Sequence, residues 1–125
     1  MATVLENLQK ARDLIAKPEN WCIALFEREN RAGGRAYCAL GAISQVKYGC
    51  ASRGFAFASG ACEPEMLALD ATIDKKEYGE VGAQPNHSAR IRVPNYNNAL
   101  DHGRVLNWFD RAIEVQKEHP TEKVG

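Results

Sequence analysis

The stretch "RAYCALGAISQVKYG", Arg35 to Gly49, begins with β-favourable residues and continues into a run of small apolar residues. Apolar residues recur at helical spacing from Cys38 to Tyr48, and Gly49 stands where a helix favours a left-handed residue. A glycine inside a helix lowers helix stability by about 1 kcal/mol. At Gly41 this cost is offset if another backbone packs closely against the helix there. The stretch therefore predicts a thin, buried, central helix.

Upstream of this helix the sequence predicts a short β-hairpin. Residues Trp21 to Phe26 are apolar and β-favourable, "ERENRAGGR" supplies charges and two glycines, and "AYC" is apolar again. A hairpin of this kind could bring Cys22 and Cys38 face to face, although the cytosol would keep both thiols reduced.

The N-terminal segment predicts the first helix, because apolar residues recur with helical period from Val4 to Ile15. Thr3 and Glu6 have the spacing of a capping box, and Pro18 is expected to end the run. Charges every few residues argue against a signal peptide or a membrane span in this segment. We therefore expect a cytoplasmic protein.

The C-terminal half predicts two more helices. "EPEMLALDATIDKKEYG" has Pro64 in its first turn and three apolar residues on one face, namely Met66, Leu69 and Ile73. The last helix is expected from Asp101, as N-cap, to His119, with Val105, Phe109, Ala112 and Ile113 as its buried stripe. The intervening residues 80–100 are rich in Gly, Pro and Asn, and only "ARIRV" suggests a strand there.

Together these segments predict an α+β fold, a mostly helical single domain of about four helices with one small β-hairpin or sheet. We expect the domain to span residues 1–119 and a polar tail to span residues 120–125. A chain of 125 residues with 45% hydrophobic and 26% charged residues is typical of one globular domain. The formal net charge of zero argues against non-specific binding to nucleic acid or to an anionic membrane.

The cysteine and histidine spacings do not predict a metal site or a cofactor. No pair among Cys22, Cys38, Cys50 and Cys62 has Cys-x-x-Cys spacing, so reduced, separately buried thiols are expected. The three histidines, His87, His102 and His119, lie far apart in the sequence without acidic or thiol ligands at metal-binding spacing. The phosphate-binding loop, the dinucleotide glycine motif and the His-Glu-x-x-His motif are also absent from the sequence.

Several short motifs resemble a family of small bacterial and phage domains of unknown function. The matching elements are "LQKARDLI", "WCIALF", "YCALGAI" and "YNNALDHGRVLNWFDRAI", which together span most of the chain. This chain has Tyr96 where the family usually has tryptophan and Asn98 where it usually has aspartate. The resemblance implies a shared fold and a bacterial or phage origin rather than a particular chemistry.

Cys38 is the candidate nucleophile, because a thiol at a helix start gains reactivity from the helix dipole or from a neighbouring histidine. A cysteine hydrolase would use Cys38 with His87 or His102, and Asn95 or Asn97 follows His87 in the order of a papain-like triad. The alternative interpretation, which we favour, is a packed structural thiol.

The segment "VPNYNNALDH", Val93 to His102, is the candidate ligand site. Its polar residues precede the last helix, where free backbone amides point outward, and they suit a small polar or anionic ligand: Asn95, Tyr96, Asn97, Asn98 and Asp101. The alternative is that Asn97 and Asn98 close turns and Asp101 caps the helix.

Two surfaces are candidates for macromolecular partners. Trp108 lies at the edge of the last helix's apolar stripe, so we expect partial exposure and a role in binding a protein. An arginine and aromatic surface could bind a nucleotide or RNA, although nearby glutamates make a solvated face the better interpretation; it would comprise Arg28, Arg31, Arg35, Arg53, Arg90 and Arg92.

The sequence thus favours a non-enzymatic binding or accessory module. Its partner would be an unknown protein or a small polar ligand, and a homo-oligomer is possible. A cysteine hydrolase and a nucleotide or nucleic-acid binding protein are the alternatives.

Overall fold

A computed structural model describes residues 3–23, 27–30, 33–49, 63–74 and 89–120. These residues form α1 (Val4–Leu14), a 3₁₀ turn (Pro18–Asn20), β1 (Glu27–Glu29), β2 (Arg35–Tyr37), α2 (Ala39–Tyr48), α3 (Glu63–Ala71), α4 (Ala89–Ala99) and α5 (His102–Glu118). The predicted α+β class is confirmed, with five helices in the described residues rather than about four. None of the helices in these ranges is long and apolar enough to cross a membrane.

The predicted capping box at the start of α1 is confirmed. The Thr3 hydroxyl accepts a hydrogen bond from the Glu6 backbone N–H at 3.1 Å, and the Glu6 carboxylate accepts one from the Thr3 N–H at 3.2 Å. These bonds lower the pKa of Glu6, chiefly through the Thr3 backbone. Pro18 does not end α1, which stops at Leu14, but begins the 3₁₀ turn that follows.

The first strand of the hairpin lies later in the chain than predicted, whereas the second coincides with the predicted "AYC" segment to within one residue. β1 and β2 are antiparallel, with Glu27 opposite Tyr37 and Glu29 opposite Arg35. β1 is largely exposed, and its charged side chains suit that position. Within the predicted first strand, Trp21 makes an isolated parallel bridge to Tyr37, and residues 24–26 lie outside the described part of the chain.

The helix α2 has the predicted central position. It packs against α1 and α4, and its first six residues are buried. Cys38 is its N-cap, and Gly49 ends it with a φ of 68°, a left-handed conformation in which glycine avoids the Cβ penalty.

The helix α4 corrects the expectation of a loop with a short "ARIRV" strand. Val93, Tyr96, Asn97 and Leu100 are buried at positions i, i+3, i+4 and i+7, which is the spacing of one helix face. The polar Asn97 occupies one of these buried positions, and Pro94 lies inside the helix. For these reasons apolar periodicity in the sequence does not indicate α4.

The helices α3 and α5 complete the core. In α3, Met66 and Leu69 are buried as predicted, and so is Ile73, but the helix ends at Ala71. α5 packs against α1 and α3, and all four predicted stripe residues are buried. Its predicted N-cap is confirmed as well, because the Asp101 carboxylate accepts from the Arg104 N–H at 2.9 Å.

Candidate functional site

Asn97 lies at the meeting point of α4, the start of α2 and the segment after the 3₁₀ turn. Its side-chain oxygen accepts hydrogen bonds from the Trp21 indole N–H at 2.9 Å and from the Ala39 backbone N–H at 3.1 Å. Its amide nitrogen donates to the Cys22 carbonyl and to the Asn98 side chain, both at 3.3 Å. Asn97 is fully buried and uses both lone pairs and both N–H groups, so nothing is left over for a ligand.

The other predicted ligand-binding residues separate in the structure. Tyr96 is buried edge-on against Trp108, with ring centroids 4.8 Å apart, and its hydroxyl accepts from the Asp74 N–H at 3.4 Å. Asp101 serves as a helix cap, while Asn95 and Asn98 are exposed. The prediction that Tyr96 and Asn97 are available to a ligand is wrong, because both are core residues of α4.

Cys38 is buried and acts as a helix cap. Its Sγ accepts a hydrogen bond from the Gly41 N–H at 3.4 Å. Burial raises the pKa of the Cys38 thiol, and hydrogen bonds from backbone amides at the helix start offset only part of that effect. A catalytic cysteine needs an accessible and partly ionised thiol, whereas the Cys38 thiol is buried and has a raised pKa.

The candidate general bases do not activate Cys38 in the part of the chain that the structure describes. His102 Nε2 lies 2.7 Å from the carbonyl oxygen of Ile15, and its ring packs beside Trp21 at a centroid distance of 5.9 Å. Because a carbonyl oxygen only accepts, this bond requires the proton on Nε2. No hydrogen bond joins Cys38 to His102 among the described residues, and His87 lies outside them.

Cys22 is the neighbour of Cys38, but a parallel bridge brings them together and not the hairpin that the sequence predicted. The parallel bridge pairs Trp21 with Tyr37, so the next residue on each segment, Cys22 and Cys38, lies side by side. Burial raises the pKa of Cys22 to about 11, and the proximity of Cys38 adds to the shift. Both cysteines are buried free thiols.

The predicted exposure of Trp108 is wrong. Its side chain is fully buried, and its indole N–H donates to the Leu69 carbonyl at 2.8 Å. Since α5 contacts α1 and α3 on different sides, its buried arc is wider than the apolar stripe and includes Trp108 and Gln116. Trp108 therefore cannot anchor a partner on the protein surface.

A buried ion pair that no sequence pattern indicates joins three helices. Glu65 is only 1% exposed, and its carboxylate accepts from Lys47 Nζ at 2.8 Å and from the Asn7 side chain at 2.9 Å. Glutamate in the first turn of a helix is common for electrostatic reasons, so Glu65 carried no signal of burial.

Among the predicted surface arginines, Arg92 is engaged within the fold. It donates two hydrogen bonds to the Asp70 carboxylate, at 2.7 and 2.8 Å. Arg31 and Arg53 lie outside the described residues. Arg28 and Arg35 are exposed on the hairpin, where Arg35 Nε lies 3.9 Å from the Glu27 carboxylate. No group of three or more His, Cys, Asp or Glu side chains in the described residues could hold a metal ion.

An open groove lies between the end of α3 and the outer face of α5, and we call it the α3–α5 groove. Its volume is about 540 Å³, and it is lined by Ala71, Thr72, Ile73, Asp110, Arg111, Glu114 and Val115. Val115 is 41% exposed, and Leu67 is 47% exposed one helical turn before Ala71. Ala71 and Val115 in the groove lining are thus exposed apolar side chains, and Leu67 lies one turn earlier on α3, outside the lining.

The charges along the groove differ in how they are paired. Arg12 holds Asp110, with its Nε 2.5 Å from Oδ1, and Lys117 Nζ lies 3.6 Å from the Glu114 carboxylate. Arg111 donates only to the backbone carbonyl of Thr72, at 3.2 Å, among the described residues. Its guanidinium therefore retains donors that face outward beside an apolar surface.

Comparison with known proteins identifies a family. Neither the curated proteins nor the solved structures include a match to this chain. The family of unknown function DUF6197 matches residues 1–115. The chain therefore belongs to DUF6197, a family of unknown function.

Proposed function

We propose that the protein is a non-enzymatic binding module that docks one amphipathic helix of a protein partner in the α3–α5 groove. The observation that carries the proposal is the exposed apolar surface at the groove, where Val115 in the lining is 41% exposed and Leu67, one helical turn before Ala71, is 47% exposed. The earlier candidates, Cys38, Asn97 and Trp108, are instead buried and bonded inside the fold.

The shape and chemistry of the groove favour a helix over a small polar molecule. A helix in a groove contributes apolar side chains at i, i+3 or i+4 and i+7, and these suit an open surface between two helices. Ile73 and Ala71 would contact such side chains on the α3 side, and Val115 on the α5 side. Arg111 would bind a carboxylate of the partner, because its guanidinium has no acidic partner among the described residues.

The cysteine hydrolase alternative has weaker support. Cys38 is buried with a raised pKa, and His102 bonds a backbone carbonyl. A bacterial or phage origin and a cytoplasmic location belong to the same proposal. They are supported by the "YCALGAI" and "YNNALDHGRVLNWFDRAI" motifs and by the two buried free thiols, which suit a reducing compartment.

The experiment is a selection of helical peptides displayed on a library, with immobilised wild-type protein as the target. Val115→Lys is the counter-target, because it places a charge on the exposed side of the groove. A lysine is compatible with the last turns of a helix, so the variant should still fold. Lys10→Glu is the matched control, since Lys10 is exposed on α1 away from the groove lining. Affinities of the selected peptides are then measured for all three proteins.

We expect the selected peptides to carry leucine or isoleucine at helical spacing beside an acidic residue. Their affinity should fall about tenfold or more for Val115→Lys and remain unchanged for Lys10→Glu. Peptides that bind Val115→Lys as tightly as wild type, or a library that yields no binder, would overturn the proposal.

A further inference from the structure

The outer face of α5 carries a charge pattern that reverses sign along the helix. The exposed side chains at spacings of three and four residues form one stripe, which we call the α5 stripe: Arg104, Asn107, Arg111, Glu114, Val115 and Glu118. The arginines occupy its N-terminal half and the glutamates its C-terminal half, while Lys117 lies at its flank, with its Nζ 3.6 Å from the Glu114 carboxylate. Such a stripe is complementary to a copy of itself that runs in the opposite direction.

The register of an antiparallel pair follows from this spacing. A two-fold axis that crosses α5 between residues 112 and 113 places Arg111 of each copy opposite Glu114 of the other. The same axis places Asn107 opposite Glu118 and brings Val115 from both copies into the contact. A parallel arrangement would instead place arginine beside arginine and glutamate beside glutamate, which is unfavourable.

From this complementarity we infer that the helix docked beside the α3–α5 groove is α5 of a second copy of this chain. The inference rests on the proposed function and names the partner of the same surface. The docked face of α5 contributes Val115 and paired charges to this contact, because its apolar stripe is buried in its own core. Such a two-fold contact is isologous, so each copy supplies the same patch. Ala71 in the groove lining, and Leu67 one helical turn before it on α3, would extend the apolar part of this patch.

The size of the surface predicts a weak dimer. One helix of 17 residues is about 25 Å long, so the contact lies at the low end of specific interfaces. We therefore expect a dissociation constant of about 10 to 100 µM, which concentration-dependent measurements can resolve.

The test is the molar mass of the full chain by sedimentation equilibrium from about 10 µM to about 1 mM. Four proteins are compared: wild type, Arg111→Glu, the double variant Arg111→Glu with Glu114→Arg, and Lys10→Glu as control. The double variant exchanges the two charges and so restores the pairing across the two-fold axis. Circular dichroism verifies that each variant is folded.

The expected wild-type mass rises from 13.8 kDa towards twice that value. Arg111→Glu should weaken dimerisation about tenfold, because it places two carboxylates opposite each other, and the double variant should recover most of the loss. Lys10→Glu should behave as wild type.

A protein that stays at 13.8 kDa throughout overturns the inference, and so does a double variant as weak as Arg111→Glu. If the protein is monomeric and library peptides still bind in a Val115-dependent manner, the partner is another protein. The proposed function then stands and only the inference of a second copy fails. If the wild-type protein neither self-associates nor binds any library peptide, the proposed function and the inference of a second copy are both contradicted.

Discussion

The side-chain oxygen of Asn97 accepts a hydrogen bond from the backbone N–H of Ala39 at 3.1 Å, and this contact joins α4 to the first turn of α2. The first N–H groups of a helix have no partner inside the helix, so another part of the chain must satisfy them when they are buried. Asn97 satisfies one of these groups and Cys38 another, at Gly41. The start of α2, where the sequence suggested a catalytic thiol, is therefore closed by the fold itself.

Replacement of Asn97 by alanine should destabilise the protein strongly. It removes the partners of the Ala39 N–H, the Trp21 indole and the Cys22 carbonyl, and each buried group left unsatisfied costs about 1 to 3 kcal/mol. We expect the free energy of unfolding to fall by about 3 kcal/mol or more in urea titrations. The exposed neighbour Asn95 provides the control, and its alanine variant should lie within about 0.5 kcal/mol of wild type. Equal losses at the two positions would contradict the structural role of Asn97.

Trp108 should behave as a core residue and not as an interface anchor. Trp108→Ala leaves a large cavity and should cost about 3 to 5 kcal/mol of unfolding free energy. Trp108→Phe mainly removes the hydrogen bond to the Leu69 carbonyl and should cost about 1 to 2 kcal/mol. Thermal and urea unfolding followed by circular dichroism distinguish the two variants. A stable Trp108→Ala protein would show that the side chain is exposed, and Val115→Ala on the outer face of the same helix is the near-neutral control.

Several parts of the fold could be predicted because their signals are local. The capping box of Thr3 and Glu6, the left-handed Gly49 and the Asp101 cap each depend on a few consecutive residues, and all three are confirmed. The apolar stripe of α5 also follows from sequence spacing alone. Such features need no knowledge of what packs against them.

The remainder depended on contacts between distant segments. α4 places the polar Asn97 in the core, where partners 58 and 76 residues away satisfy it, so apolar periodicity could not mark the helix. Trp108 is buried because α3 covers that side of α5, and Glu65 is buried because Lys47 and Asn7 meet it there. The α3–α5 groove likewise exists only once two helices far apart in sequence are packed together.

The buried pair of Lys47 and Glu65 should show strong coupling. Lys47→Met leaves a carboxylate that is 1% exposed without its cation, which should cost about 3 to 5 kcal/mol of unfolding free energy. The double variant with Glu65→Gln removes the uncompensated charge and retains an acceptor for Asn7, so it should be more stable than Lys47→Met alone. Urea titration of the complete double-mutant cycle measures this coupling. Additive losses would contradict the buried pair, and Lys117→Met at the exposed pair should change stability by less than about 0.5 kcal/mol.

Native-state alkylation should find Cys22 and Cys38 unreactive. Both are nearly inaccessible, with 3% and 4% exposure, and burial raises the pKa of both thiols. We expect iodoacetamide to label them at least about 100-fold more slowly in the native protein than in urea-unfolded protein, as measured by peptide mass spectrometry. Rapid labelling of Cys38 near neutral pH would instead favour the cysteine hydrolase.

The raised thiol pKa values also predict that the protein loses stability in alkali. The native state holds the Cys22 proton up to a pKa of about 11, whereas the unfolded chain releases it near 9.0. Between these values the unfolded state binds fewer protons than the native state, so the free energy of unfolding falls as the pH rises. The contribution is fully present below about pH 9 and disappears towards pH 11.

Urea titrations of wild type and Cys22→Ala from pH 7 to pH 11 measure this slope. The variant should be less stable than wild type near neutral pH because it leaves a small cavity, and its decline above pH 9 should be shallower than that of wild type. Cys38 also has a raised pKa, so the double variant Cys22→Ala with Cys38→Ala should flatten the profile further. Parallel profiles for all three proteins would mean that neither thiol retains its proton through burial, and the start of α2 would then be open to solvent.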